Sequence, residues 1–116
     1  MNPTLLVLVS LLILPLFATG ARTEALAGEW TPIKNVKDPH VVEIGQFAVD
    51  ENNKNQKVDL KFERVISGES QVVSGINYRL TLTAKDGAVE NKYEAVVWEK
   101  PWEKFKKLTS FKVVNC

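Results

Sequence analysis

Cysteine is almost absent from this 116-residue chain: Cys116, the last residue, is the only one. A disulfide framework within the chain is therefore excluded. Histidine is as scarce, with His40 alone. One Cys and one His cannot supply the soft ligands of a zinc finger or a metal cluster. A surplus of one charge is lacking too. The 15 Lys and Arg against 14 Asp and Glu leave +1, which is not the balance of a nucleic-acid binder. No glycine-rich phosphate loop appears, since Gly68 and Gly75 stand seven apart in a strand context. No Asn-x-Ser/Thr acceptor exists with x other than Pro, so N-glycosylation is not expected. The length allows one small domain and excludes a large multi-pocket enzyme. Neither a metal nor a cofactor is implied.

The first 20 residues are as uncharged as the rest is charged. Within them Leu5–Phe17 is apolar apart from Ser10 and the interrupting Pro15. A membrane crossing needs about 20 apolar residues, and this run is shorter. It suits the core of a secretory signal peptide over residues 1–20, with cleavage after the small residues Ala18-Thr19-Gly20. A second small-x-small site, Ala25-Leu26-Ala27, would free Gly28 directly. An uncleaved membrane anchor is the rival reading. The expected organisation is a signal peptide over 1–20, a flexible trunk over 21–29 and one domain over 30–116. The expected location is the secretory pathway, extracellular or vacuolar.

The remaining chain reads as one helix followed by strands. Trp30 to Val36 can hold a short strand, which Pro32 confines to a sheet edge. Asp38-Pro39 is a helix start, because Asp caps and Pro fits the first helical position. Val41, Ile44, Gly45 and Ala48 recur at helical spacing, with Val42 and Val49 widening the stripe. The helix should fade after about four turns at Asn52–Asn55, where short amides compete for the backbone. The period then becomes two. Val58, Leu60 and Phe62 form one alternating strand, and Val65-Ile66 breaks its phase, which suggests a bulge. Gly68-Glu69-Ser70 reads as exposed chain near a turn. Tyr78, Leu80, Leu82 and Ala84 mark a second strand, and Tyr93, Ala95 and Val97 a third. Asp86-Gly87 and Lys100-Pro101 are turns, and Phe105–Val114 gives a last strand. Sequential antiparallel strands and one amphipathic helix pack as two layers of an α+β fold.

Catalytic machinery is not in evidence. A nucleophile needs a positioned base, and nothing in the spacing couples Cys116 to His40. His40 reads as a solvent-facing residue of the first helical turn, and no enzyme is expected. What stands out is apolar material at turns. Gln71-Val72-Val73-Ser74-Gly75 lies between two strands, where Asn, Asp and Pro would be usual. Pro101-Trp102 places a large aromatic at another turn. Exposed apolar turns mark binding surfaces, and Trp is a frequent binding anchor. Val72-Val73 reads equally well as the continuation of a strand, and Trp102 as a ring folded onto the sheet. Trp98 falls in strand phase and reads as a residue packed on a sheet face. In a meander, alternate turns fall at the same end, so residues 72–75 and 101–102 should meet. The segment around Gly28 should reach them if the first strand pairs there.

These motifs resemble those of the cystatins, and among them the plant members. Gln71-Val72-Val73-Ser74-Gly75 is similar to the first hairpin loop of that family, and Pro101-Trp102 to the second. Ile44-Gly45-Gln46-Phe47-Ala48-Val49-Asp50-Glu51-Asn52-Asn53 resembles the plant helix signature. Gly28 resembles the trunk glycine, although Ala27 stands where plant members often have a second glycine. The resemblance covers about residues 27–114. It implies a long helix packed across a four- to five-stranded antiparallel sheet. It also implies reversible, tight inhibition of papain-like cysteine proteases, endogenous or from pests and pathogens. The protease-binding residues would be Gly28, Gln71, Val72, Val73, Ser74, Gly75, Pro101 and Trp102, acting together as a wedge. The alternative is a module of the same fold that binds something else without inhibiting. A monomer is expected, with a domain-swapped dimer as the variant that Val-rich hairpin loops permit.

Overall fold

The computed structural model describes residues 28–114. The expected leader over 1–20, most of the segment over 21–29 and Cys116 lie outside the described residues. The helix, α1, runs from Pro39 to Gln56. Asp38 caps it, accepting the His40 N–H at 2.8 Å, and Pro39 occupies the first turn, where its missing N–H costs nothing. One stripe is buried: Val41, Ile44, Gly45, Ala48 and Val49. Val42 is not part of it and stands exposed.

The helix does not fade at its asparagines. It continues to Gln56 and stops at Lys57, which takes the left-handed conformation (φ 57°). The reason is Asn53. Its side-chain amide donates to the Leu60 carbonyl at 3.0 Å, and its side-chain oxygen accepts the Leu60 N–H at 2.9 Å. The amide acts as a spare peptide unit for the returning chain, so it no longer competes with the helix backbone.

Five antiparallel strands form one sheet in chain order. These are β1 (Thr31–Pro32), β2 (Lys61–Val72), β3 (Ile76–Asp86), β4 (Val89–Lys100) and β5 (Phe105–Val113). β1 is shorter than the 30–36 segment suggested, and β2 starts later than Val58, which is exposed. β2 shifts register twice, between Phe62 and Arg64 and between Val65 and Ser67. The second shift is the bulge that Val65-Ile66 foreshadowed. Such bulges increase local twist. Gly68-Glu69-Ser70 lies mid-strand, opposite Leu80, Arg79 and Tyr78, and not at a turn. β4 and β5 slip between Val96 and Val97, and the Thr109 hydroxyl fills the gap by donating to the Val96 carbonyl at 3.1 Å.

The core lies between α1 and one sheet face. Ile44, Ala48 and Val49 meet Leu80, Leu82 and Ala84 of β3 and Ala95 and Val97 of β4, all fully buried. Each large aliphatic side chain there contributes about 1.5–3 kcal/mol of burial. This core fixes the ends of β2, β3, β4 and β5 relative to one another, and with them the connecting loops. The outer edges of the sheet differ. β1 is two residues long and contains Pro32, while β5 carries Lys106, Lys107 and Lys112.

Candidate functional site

The three apolar pieces meet at one end of the sheet. The first loop follows β2. Val72 ends the strand, and Val73, Ser74 and Gly75 turn the chain. Val72 and Val73 project outward, 60% and 44% exposed. Neither is absorbed into a packed strand face. The turn closes on itself, with the Val73 N–H donating to the Gly75 carbonyl at 3.0 Å. Ser74 takes a positive φ of 50° and Gly75 one of 118°. A Cβ at Gly75 would lie 2.5 Å from the Glu99 carbonyl. Glycine is required there both by conformation and by the approach of β4.

Trp98 braces this loop from below. Its indole N–H donates to the Ser74 carbonyl at 2.9 Å. Its ring meets Phe105 edge-on at 5.5 Å, and the Lys100 ammonium lies 4.8 Å from its centre. Trp98 therefore packs on a sheet face, as its phase indicated, and also positions the first loop.

The second loop is a single 3₁₀ turn, Pro101–Glu103. It closes when the Lys104 N–H donates to the Pro101 carbonyl at 3.2 Å. Trp102 does not fold onto the sheet. It is 67% exposed, more than any other large apolar side chain among the described residues. Gly28 joins from the other side. Its N–H donates to the Val72 carbonyl at 3.1 Å, and its carbonyl accepts from Gln71 Nε2 at 2.9 Å. Gln71 is thus a tie between trunk and loop.

Beneath the second loop lies a polar contact that the sequence reading missed. Glu99 is buried, and its carboxylate accepts from His40 Nε2 at 2.8 Å. His40 is consequently not held by solvent alone. It is half-buried and meets the Tyr78 ring edge-on at 6.0 Å. The hydrogen bond to Glu99 raises the His40 pKa above its ordinary 6.5, against a smaller opposing effect of burial. Burial, then the Glu99 charge, pushes the Tyr78 phenol up to about 12. A signal for this was present. Glu99 continues the phase of Tyr93, Ala95 and Val97, which puts a carboxylate on the buried face, where it needs a partner.

Comparison with known proteins identifies the scaffold. A family model described as aspartic acid proteinase inhibitor matches residues 33–114. "Cysteine proteinase inhibitor 5" of Arabidopsis thaliana is 57% identical over 113 residues, covering 95% of this chain and 90% of its own length. "Cysteine proteinase inhibitor 1" of Actinidia chinensis var. chinensis is 50% identical over 95 residues, covering 82% of each chain. Among solved structures, a salivary cystatin from the soft tick Ornithodoros moubata superposes with a TM-score of 0.67 at 23% identity, covering 78% of this chain and 100% of its own. The family model and the relatives carry the names of two protease classes on one scaffold. Identity above half along nearly the whole chain, and a shared helix-on-sheet fold, decide the assignment: the chain belongs to the plant cystatins.

Proposed function

We propose that the protein is a reversible, tight-binding competitive inhibitor of papain-like cysteine proteases. The observation that carries this reading is the convergence of Gly28, Gln71–Gly75 and Pro101-Trp102 on one end of a rigid sheet. The segment at Gly28 and before it would lie along the non-primed side of the protease cleft. Gln71–Gly75 would enter beside the catalytic Cys and His, and Pro101-Trp102 would cover the primed side.

The physics supports such a plug. Val72 and Val73 have little side-chain entropy to lose on burial. Trp102 offers a large, stiff aromatic area. The loops are already ordered by Trp98, Gln71 and the core, which lowers the cost of binding. No extended peptide bond need be presented in register, so the inhibitor is not consumed. A contact of about 1,600 Å² in total would be of ordinary size for a protease–inhibitor pair.

The deciding experiment titrates papain and, in parallel, pepsin with the purified protein. Stoichiometric loss of papain activity is the expected result. Loss of pepsin activity alone would move the target to the class named in the family-model description. Loss of neither would leave a binding module without inhibitory activity. The uncharged residues 1–20 support delivery through the secretory route. Sequencing the N-terminus of the exported protein tests this, with Ala21 expected and Gly28 the result that would shift the cleavage site.

A further inference from the structure

The sheet face turned away from α1 carries a side-chain cluster outside the wedge. Glu69 of β2 stands opposite Arg79 of β3, and Pro32 of β1 stands opposite Glu69. Side chains alternate along a strand, so Trp30, two residues before Pro32, comes to that same face. The Arg79 guanidinium lies 4.1 Å from the centre of the Trp30 ring. Its Nε and a terminal nitrogen both donate to Glu69 Oε1, at 2.8 and 2.6 Å. The group is thus held at its edge by a carboxylate and covered on its face by an indole.

This contact sits where the backbone holds least. β1 has two residues, and Pro32 contributes no N–H. The Ile33 N–H donates to the Gly68 carbonyl on one side of β1, and the Gly28 N–H to the Val72 carbonyl on the other. Trp30 stands between those two attachments. An exposed ion pair is by itself a weak device. Here the pair serves to orient a plane. A planar guanidinium takes a carboxylate at its edge and lies flat against an aromatic ring, and so fixes the ring's orientation; a lysine ammonium, a point charge on a flexible stem, attracts both without fixing a plane.

We propose that Arg79 is a positioning residue for inhibition. Clamped by Glu69, it holds Trp30 and so fixes Gly28 against Val72 and Gln71 at the trunk end of the wedge. Through that placement it sets how long a bound protease is retained. This rests on the wedge reading given above.

The test uses Arg79→Lys, Trp30→Leu and the double variant of the purified protein, with Trp30→Phe as the conservative control. Two quantities are read: amide exchange of Gly28 in the free protein, and association and dissociation rates with papain. Arg79→Lys should speed Gly28 exchange and papain dissociation about tenfold each, while association changes less than about twofold. Trp30→Leu should do the same, the double variant should add little, and Trp30→Phe should keep most of the parent's slow exchange and slow dissociation. A general loss of structure would instead lower the melting temperature and the inhibiting fraction. Unchanged Gly28 exchange in Arg79→Lys overturns the clamp. Faster exchange with unchanged dissociation overturns its role in retention, as would single-variant effects that multiply independently. A parent protein that fails to inhibit papain overturns the wedge reading instead, and Gly28 exchange still decides the clamp.

Discussion

The two ends of the β-meander are both turned by a glycine at positive φ, and the two glycines do opposite things. At Gly87 (φ 66°) an added Cβ would meet nothing within 4 Å. At Gly75 (φ 118°) it would run into the Glu99 carbonyl. The Asp86-Gly87 turn is ordinary connection, polar and open to solvent. The Gly75 end is built inward and outward at once. Inward, it is tied to Trp98, Gln71 and the His40–Glu99 pair. Outward, it shows Val72, Val73 and Trp102. The lesson is that exposed apolar residues on a loop held by side-chain ties to neighbouring elements mark a docking edge, whereas an open turn marks a connection.

Substitutions can break that contrast. The largest effect is expected for Gly75→Arg, which adds a Cβ where β4 already lies and should weaken papain inhibition at least about a hundredfold, or ~3 kcal/mol. An inhibition constant within a few-fold of the parent would show that the close approach is dispensable. Trp102→Ala should cost about 2 kcal/mol, roughly thirtyfold in affinity, if Trp102 is an anchor of the contact. Its melting temperature should stay at the parent value, because the ring touches solvent and not the core.

The His40–Glu99 pair gives the Gly75 end a pH dependence. The His40 pKa is raised in the folded state, chiefly by the hydrogen bond to Glu99. The stabilisation is therefore complete below the unfolded value of 6.5 and is lost as pH rises through the folded value. The ring is 43% exposed, so solvent screening holds the gain to about 1 kcal/mol or less. Melting curves between pH 5 and 8 should show this slope in the parent and lose most of it in Glu99→Gln, where Glu43, 3.5 Å from His40 Nδ1, keeps a smaller share. An equal slope in both would remove the pair as its source. The smallest effect is expected for Gly87→Asn. Asn tolerates the left-handed region, so stability should change by less than about 0.5 kcal/mol and inhibition not at all. A marked loss of inhibition there would erase the distinction between the ends.

The sheet was legible wherever burial follows a period. Tyr78, Leu80, Leu82 and Ala84 announce the inner face of β3, and Tyr93, Ala95 and Val97 that of β4. The meeting of the loops followed from meander geometry alone. What escaped were contacts set by partners far along the chain. Asn53 looks like a helix breaker until Leu60 returns to occupy its amide. His40 looks solvated until β4 delivers Glu99, 59 residues later. Gly68 looks like a turn residue, yet β2 runs through it, because strand pairing on both sides outweighs a local preference for turning. Glu69 reads as exposed chain near a turn, and only the pairing with Arg79 and the return of Trp30 make it part of a unit.

The treatment of the sheet's borders has a consequence for a protein that must keep greasy loops in water. An unpaired border strand is a template on which another sheet can grow. β1 ends that invitation after two residues with a proline, and β5 sets Lys106, Lys107 and Lys112 along the opposite border. A second copy arriving border to border would have to desolvate these lysines, two of them already paired with Glu43 and Glu94. The tip carries Val72, Val73 and Trp102 exposed side by side, where a protease cleft can reach them.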